Sequence, residues 1–325
     1  MNYRSIFIFT LFVCGSCHAV LAAPEVETKP QPKTKDHQKS RLIIRTDDIG
    51  FCHGANMAIK RILDRGVVTS VSVIVNTPWL DEAVEILKDH PEVSVGVHTN
   101  LNSEWREYRW GPVLPYDKVP SLVDKFGRFF GTRRDLMLNR PRTSEVAAEI
   151  RAQIELALKK GLRISYCDHH MGAAVNCLEF QEELEKLARE YNLVISRYFG
   201  EADTKSIYTV LPEQKTDAAI ESIRNLPREG LFIMVLHPGT DTPEMAAMTD
   251  LNSTGLKGMS RYRQAEADVL CDSRFKAALK DAQVELIGYA DLLKEFGTKG
   301  MKRPSTAKRY DEVLKEALQQ ETLTK

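Results

Sequence analysis

The stretch IIRTDDIG, residues 43–50, decides how the rest of the chain is read. Its first residues form a short β-branched run, the pattern of a buried strand. Asp47 and Asp48 then stand side by side at the strand's C-terminal mouth, with Gly50 close behind. Adjacent carboxylates repel one another and lose hydration there, so something must compensate them. One resolution is a polar turn in which Asp48 caps the next helix. The other is a cation. The remainder of the chain separates the two.

Outward from that strand, strand-like and helix-like segments alternate. Strand candidates are 41–46, 69–75, 93–101, 163–168, 193–198, 231–237 and 284–289. Helix candidates are 55–66, 80–90, about 143–160 and 179–191, two of them stopping at Gly66 and Gly161. Such alternation argues an α/β fold with a parallel sheet and crossover helices. Seven strands in about 250 residues suit a (β/α) barrel better than a short doubly wound sheet.

The bulk properties narrow the function. The chain has 325 residues, 43% of them hydrophobic, which is enough for a substantial core. Its 45 basic and 45 acidic side chains cancel, which argues against a nucleic-acid binder working through a basic face. No internal run approaches the roughly 20 apolar residues of a membrane span.

The beginning of the chain reads differently. Arg4, an apolar stretch from Ile6 to about Cys14, and the small residues Ala22 and Ala23 describe a secretory signal peptide over 1–23. The expected location is secreted or periplasmic. Lipoprotein anchoring through Cys17 fits less well, because the residue three before it is not Leu-like. Residues 24–40 are Pro- and Lys-rich without apolar period, the composition of a disordered tether. A single folded domain is then expected over 41–296. A charged C-terminal extension follows over 297–325, with an amphipathic helical piece at 309–319. Outside the leader, Cys52, Cys167, Cys177 and Cys271 allow three pairings or none, and no pair has zinc-binding CxxC spacing.

Reactive residues of such folds occupy the loops after the strands' C-terminal ends. His98 ends the third strand, His169 and His170 follow the fourth, and His237 ends the sixth. Asp47 and Asp48 end the first, whereas His37 and His90 fall outside this rim. Four strand ends thus deliver Asp and His together. One carboxylate with two imidazoles suits zinc or another divalent first-row metal, with positions left open for water and substrate. A second carboxylate could take the proton of a water acidified by such an ion, and a histidine opposite could protonate a leaving group.

On these residues the chain also resembles a known family. TDDIG at 46–50, GVHTNLN at 96–102, CDHHMG at 167–172 and LHPG at 236–239 are similar to the motifs of the YdjC-like carbohydrate deacetylases. Those enzymes are distant relatives of the NodB-type polysaccharide deacetylases. The likeness runs from about 41 to 293 and implies their distorted (β/α) barrel with about seven parallel strands. It implies Asp48, His98 and His170 as metal ligands, Asp47 as catalytic base and His237 as the acid partner. Asp168 is implied to orient the site, and His169 fills the variable position of the family's D-x-H element. One departure stands out. Many members have H-x-H after the fourth strand, where this chain has His170-Met171-Gly172.

The loop after His98 is long and holds Trp105, Trp110, Tyr108, Tyr116, Phe129 and Phe130. Loops of this length are commonly lids or binding loops. Aromatic faces there suit sugar rings, and neighbouring Arg residues suit carboxylate or sulfate substituents. A small core under the loop is the alternative. Arg197, at the end of the fifth strand, and His53, near the first, are further substrate-binding candidates.

Three readings differ in class. An Fe(II) oxygenase shares the ligand types, but its chemistry usually sits on an antiparallel jelly roll. A non-catalytic sugar-binding protein should have lost a ligand or catalytic position, and none is lost. The expected function is a secreted metal-dependent hydrolase removing acetyl from N-acetylated amino sugars, with O-deacetylation a close variant. Its cofactor is one divalent ion, with Zn2+ favoured on ligand grounds and Mg2+ or Co2+ as alternatives. Its partner is a carbohydrate substrate. The charged tail leaves a homo-oligomer open without requiring one.

Overall fold

β1 (Arg41–Ile49) runs three residues past its predicted end and carries both aspartates within it. The computed structural model describes residues 39–304 and 307–324, so the leader, most of the tether, Cys17 and His37 lie outside the described residues. Leu42, Ile43 and Ile44 are fully buried. A strand covered on both faces carries such a continuous apolar run.

From β1 the chain passes through α1 (His53–Leu63), β2 (Ser70–Val73), α2 (Leu80–Lys88) and β3 (Ser94–Thr99). A long rim loop holding α3 (Arg133–Leu138) leads to α4 (Thr143–Lys159) and β4 (Ile164–His169). Then come α5 (Leu178–Glu190), β5 (Val194–Ile195), β6 (Ala202–Asp203), α6 (Lys215–Arg224) and β7 (Leu231–Leu236). The last part holds α7 (Pro243–Ala246), α8 (Met259–Cys271), α9 (Ser273–Asp281), β8 (Glu285–Leu286), α10 (Tyr289–Phe296) and α11 (Tyr310–Thr324).

The strands pair in the order β5-β4-β3-β2-β1-β7-β6, with β8 added beside the start of β1, and every ladder is parallel. The sheet is strongly curled. In a flat sheet β5 would lie four spacings of about 4.8 Å from β1. Arg45 Nη1, on β1, nevertheless stands 2.7 Å from Ser196 Oγ, one residue past β5. The expected α/β architecture of about seven parallel strands in a distorted barrel therefore holds, curled about an interior that Arg45 spans. Close approach inside the curl is explicit at Gly96, where an added Cβ would lie 2.4 Å from the Tyr166 ring.

Two kinds of element escaped the sequence reading. β6 is only two residues long and exposed, so it has no periodicity to show. The helices α6, α8, α9 and α10 were not predicted either. α8 buries Arg263 and Glu266 among its apolar residues, and α6 buries Lys215. Charges on a buried face blur the stripe by which a helix is recognised. The four cysteines of the described residues are all unpaired.

Candidate active site and metal centre

Successive residues of a regular strand point to opposite faces, so Asp47 and Asp48 should diverge. They do not, because the β1–β2 register shifts between Thr46 and Ile49 and Asp48 adopts φ +72°. A left-handed conformation at a non-glycine residue costs on the order of 1–3 kcal/mol and persists only where its surroundings enforce it. Here it turns both carboxylates into one pocket. Ligand atoms of Asp48, His98 and His170 lie within 4.8 Å of one another, and so do those of Asp47, His98 and Asp168.

His98 Nε2 and His170 Nδ1 each lie 3.4 Å from the same atom, Asp48 Oδ1. That oxygen is buried and finds no hydrogen-bond donor among the described residues. The opposite ring nitrogens are engaged. His98 Nδ1 stands 2.9 Å from Asp168 Oδ1, and His170 Nε2 is hydrogen-bonded to Glu104 Oε2 at 2.9 Å. Carboxylates behind imidazoles in this way fix ring orientation and tautomer, leaving the inward nitrogens with free lone pairs.

Charge tests whether a metal fits. Asp47, Asp48, Glu104 and Asp168 are all buried, and among the described residues only two buried guanidiniums, Arg45 and Arg263, accompany them. With neutral imidazoles the cluster is short of two positive charges, which one divalent cation supplies. The imidazoles register the same deficit. Burial alone would lower the pKa of His98, yet Asp168 and Asp47 raise it well above the usual value. Burial likewise acts against His170, but Glu104 and Asp48 raise it to about 9. The residues present fit a divalent ion held by Asp48, His98 and His170.

The guanidiniums hold the carboxylates in place. Arg45 binds both oxygens of Asp47, through Nε at 2.7 Å and Nη2 at 2.8 Å. The same Nη2 lies 3.1 Å from Asp168 Oδ2, which also accepts a bond from Ser72 Oγ at 3.0 Å. Arg263 Nη2 reaches Asp48 Oδ2 at 2.8 Å. Burial would raise the Asp48 carboxyl, but Arg263 and the two imidazoles hold it well below the ordinary carboxylate range.

His237 stands at the open side. Its side chain keeps 29% of its exposure, whereas those of Asp47, Asp48, His98 and His170 keep at most 6%. Its Nε2 lies 3.9 Å from Asp47 Oδ2. The His237 backbone N–H donates to Glu266 Oε2 at 2.6 Å, and Glu266 pairs with the buried Lys215 at 2.7 Å. Tyr208 packs edge-on against the imidazole at 5.6 Å.

Of the residues singled out in the sequence, Asp47, Asp48, His98, Asp168, His170 and His237 come together. His169 joins neither ligand group. Burial lowers its pKa to about 4, leaving it neutral. Trp105 and Trp110, weighed as substrate-binding residues against a small core under the loop, are only 4% and 5% exposed and pack on Phe51. They belong to the core beneath the loop, and Trp110 walls the site 6.1 Å from His170. His53 bonds Glu82 at 2.8 Å and packs on Trp79, while Arg197 pairs with Asp203 at 2.6 Å. Each has a structural partner that accounts for its position.

The sequence reading missed Glu104, Arg263 and Glu266, which carry no motif. Arg45 did leave a signal, a charge inside a run of β-branched residues.

Residues 41–281 match the family model described as YdjC-like protein. The chain belongs to that family. It is 28% identical over 269 residues to a carbohydrate deacetylase of Brevibacillus brevis, covering 78% of this chain and 99% of the relative. A carbohydrate deacetylase of Listeria monocytogenes is 30% identical over 264 residues, covering 78% and 100%. Among solved structures, one from Enterococcus faecalis V583, named for a suspected cellobiose-phosphate cleavage activity, superposes with a TM-score of 0.65. It covers 78% of this YdjC-like chain and 99% of its own at 24% identity, a likeness of fold alone.

Proposed function

We propose that this chain is a metal-dependent carbohydrate deacetylase. It removes acetyl from an N-acetylated amino sugar, as a monosaccharide or short oligosaccharide. The observation that carries the reading is the convergence of two imidazoles on an unpartnered Asp48 oxygen, with a clamped carboxylate and an accessible histidine beside them. The names of the relatives support the substrate class.

Asp48, His98 and His170 would hold a divalent ion, which would supply Lewis acidity to the pocket and acidify the attacking water. Zn2+ suits these donors, with Mg2+ or Co2+ as alternatives. Asp47 is the base. Arg45 fixes its orientation through both oxygens, and each oxygen keeps a lone pair directed elsewhere. From there it takes the proton of the water that attacks the amide carbonyl. His237, across the pocket on the open side, donates a proton to the departing amine nitrogen. Glu266 holds the His237 backbone so that the ring faces Asp47. The leader-like start of the sequence supports export, with 41–296 as the catalytic domain and 297–325 as an extension.

The test is acetate release from a panel of N-acetylated mono- and oligosaccharides, before and after chelation and with metal restored. Release should vanish on chelation and return with metal. Asp47→Asn should lower kcat by about 10²–10⁴-fold while retaining the metal by elemental analysis. No release from any sugar by metal-loaded protein would overturn the reading.

A further inference from the structure

His98 and His170 each have a carboxylate behind the ring, but His237 has none. Its Nδ1 is buried and finds no hydrogen-bond partner among the described residues. Its Nε2 stands 3.9 Å from Asp47 Oδ2, beyond hydrogen-bond reach. The torsion that turns an imidazole is broad, so a ring without a hydrogen bond is not held by its own rotamer. A proton donor has to face the atom it protonates, and another contact must therefore set this ring. Tyr208 packs on it edge-on, with ring centroids 5.6 Å apart and planes at 71°. Tyr208 belongs to none of the sequence motifs.

The main chain brings the two rings together. β6 and β7 pair in parallel, so the chain leaves both strands at the same rim, towards Tyr208 after β6 and directly into His237 after β7. One buried ion pair then fastens both segments. Lys215 Nζ donates to the Ile207 carbonyl at 2.7 Å, the Tyr208 carbonyl at 3.0 Å and Glu266 Oε1 at 2.7 Å. The other Glu266 oxygen accepts the His237 N–H at 2.6 Å. An ammonium has three N–H donors, and here all three are engaged. Burying such a pair is costly unless its groups are satisfied, and these bonds satisfy it by joining the backbone of Tyr208 to that of His237. Ile207 is buried and anchors the segment, while Tyr208 itself stays 41% exposed at the open side of the pocket.

We propose that Tyr208 is the positioning residue of the acid His237. Its ring holds the imidazole with Nε2 turned towards Asp47 and the reacting amide, the task that carboxylates perform for His98 and His170. The Lys215–Glu266 pair sets the spacing of the two rings by holding both backbones. The contact is made by the aromatic ring, so phenylalanine serves in its place and an aliphatic side chain does not. This inference rests on the deacetylase reading for the role of His237, whereas the hold on the His237 ring can be measured without turnover.

The experiment compares Tyr208→Leu, Tyr208→Phe, His237→Ala and the double variant of Tyr208→Leu with His237→Ala, all loaded with Zn2+. NMR relaxation of 13C-labelled histidine reads the order of the His237 ring, its resonance assigned by its absence in His237→Ala. That order should fall in Tyr208→Leu and stay at the wild-type level in Tyr208→Phe. On the acetylated sugar that the wild type cleaves fastest, Tyr208→Leu should lower kcat about 10–100-fold, with KM changed less than about threefold. Tyr208→Phe should recover most of that loss. In the His237→Ala background the leucine substitution should cost less than about threefold, because residues acting as one unit are not additive. Circular dichroism and the metal content of each variant establish that the fold and centre are intact. An unchanged His237 ring order in Tyr208→Leu would overturn the proposal. So would a rise in KM at constant kcat, which marks a direct sugar contact, or a loss repeated in full without His237. Lowered ring order without acetate release from any sugar by the wild-type protein would sustain the positioning role and count against the deacetylase reading instead.

Discussion

Asp48 at φ +72° is the residue on which the site turns, because its left-handed backbone brings two neighbouring carboxylates to one pocket. The motif was legible as two aspartates at a strand end, but a regular strand would have sent them apart. Glu104 was not legible at all. It lies in a loop some sixty residues before the histidine it supports, and only the fold sets its carboxylate 2.9 Å from His170 Nε2. Glu104→Gln keeps the shape but loses the charge behind the imidazole. Metal affinity, measured by isothermal titration, should fall about 10–100-fold. An unchanged affinity would show that the His170 ligand needs no such support.

Among elements, α8 and α6 show why half of the machinery escaped the periodicity. α8 turns Arg263 towards Asp48 and Glu266 towards the His237 backbone, so its inner face is charged. Lys215 of α6 completes the arrangement as a fully buried partner of Glu266. It also donates to the Ile207 and Tyr208 carbonyls. Lys215→Met leaves Glu266 buried and unpaired, so urea unfolding should show a loss of about 3–5 kcal/mol. The double variant Lys215→Met with Glu266→Gln removes the stranded charge and should recover part of that loss. If instead the double variant is no more stable than the single, carbonyl satisfaction by Lys215 matters more than the ion pair. β1, β2, β3, β4 and β7, by contrast, were readable because each carries a short run rich in β-branched and other apolar residues.

At the scale of the molecule, the curled sheet gathers four buried carboxylates and two guanidiniums at one end, leaving two positive charges to come from outside. On the proposed reading, metal binding and the native fold are linked. At a free metal concentration about 100 times Kd, binding should add about 2.7 kcal/mol to stability. Thermal unfolding should show a lower Tm after chelation and recovery on adding Zn2+. A Tm indifferent to chelation and to added Zn2+ would mean that the cluster balances its charge without a divalent ion.

The sequence by itself determined the alternation of strands and helices, the strand ends on which Asp and His fall, and the family they resemble. These follow from local periodicity and short motifs, which a linear reading can see. Only the tertiary structure decided that both aspartates face one pocket, that Trp105 and Trp110 belong to the core, and which charges support the ligands. The reason is electrostatic. A carboxylate or guanidinium is buried only beside a compensating partner, and that partner is chosen by proximity in space, however far away it lies along the chain.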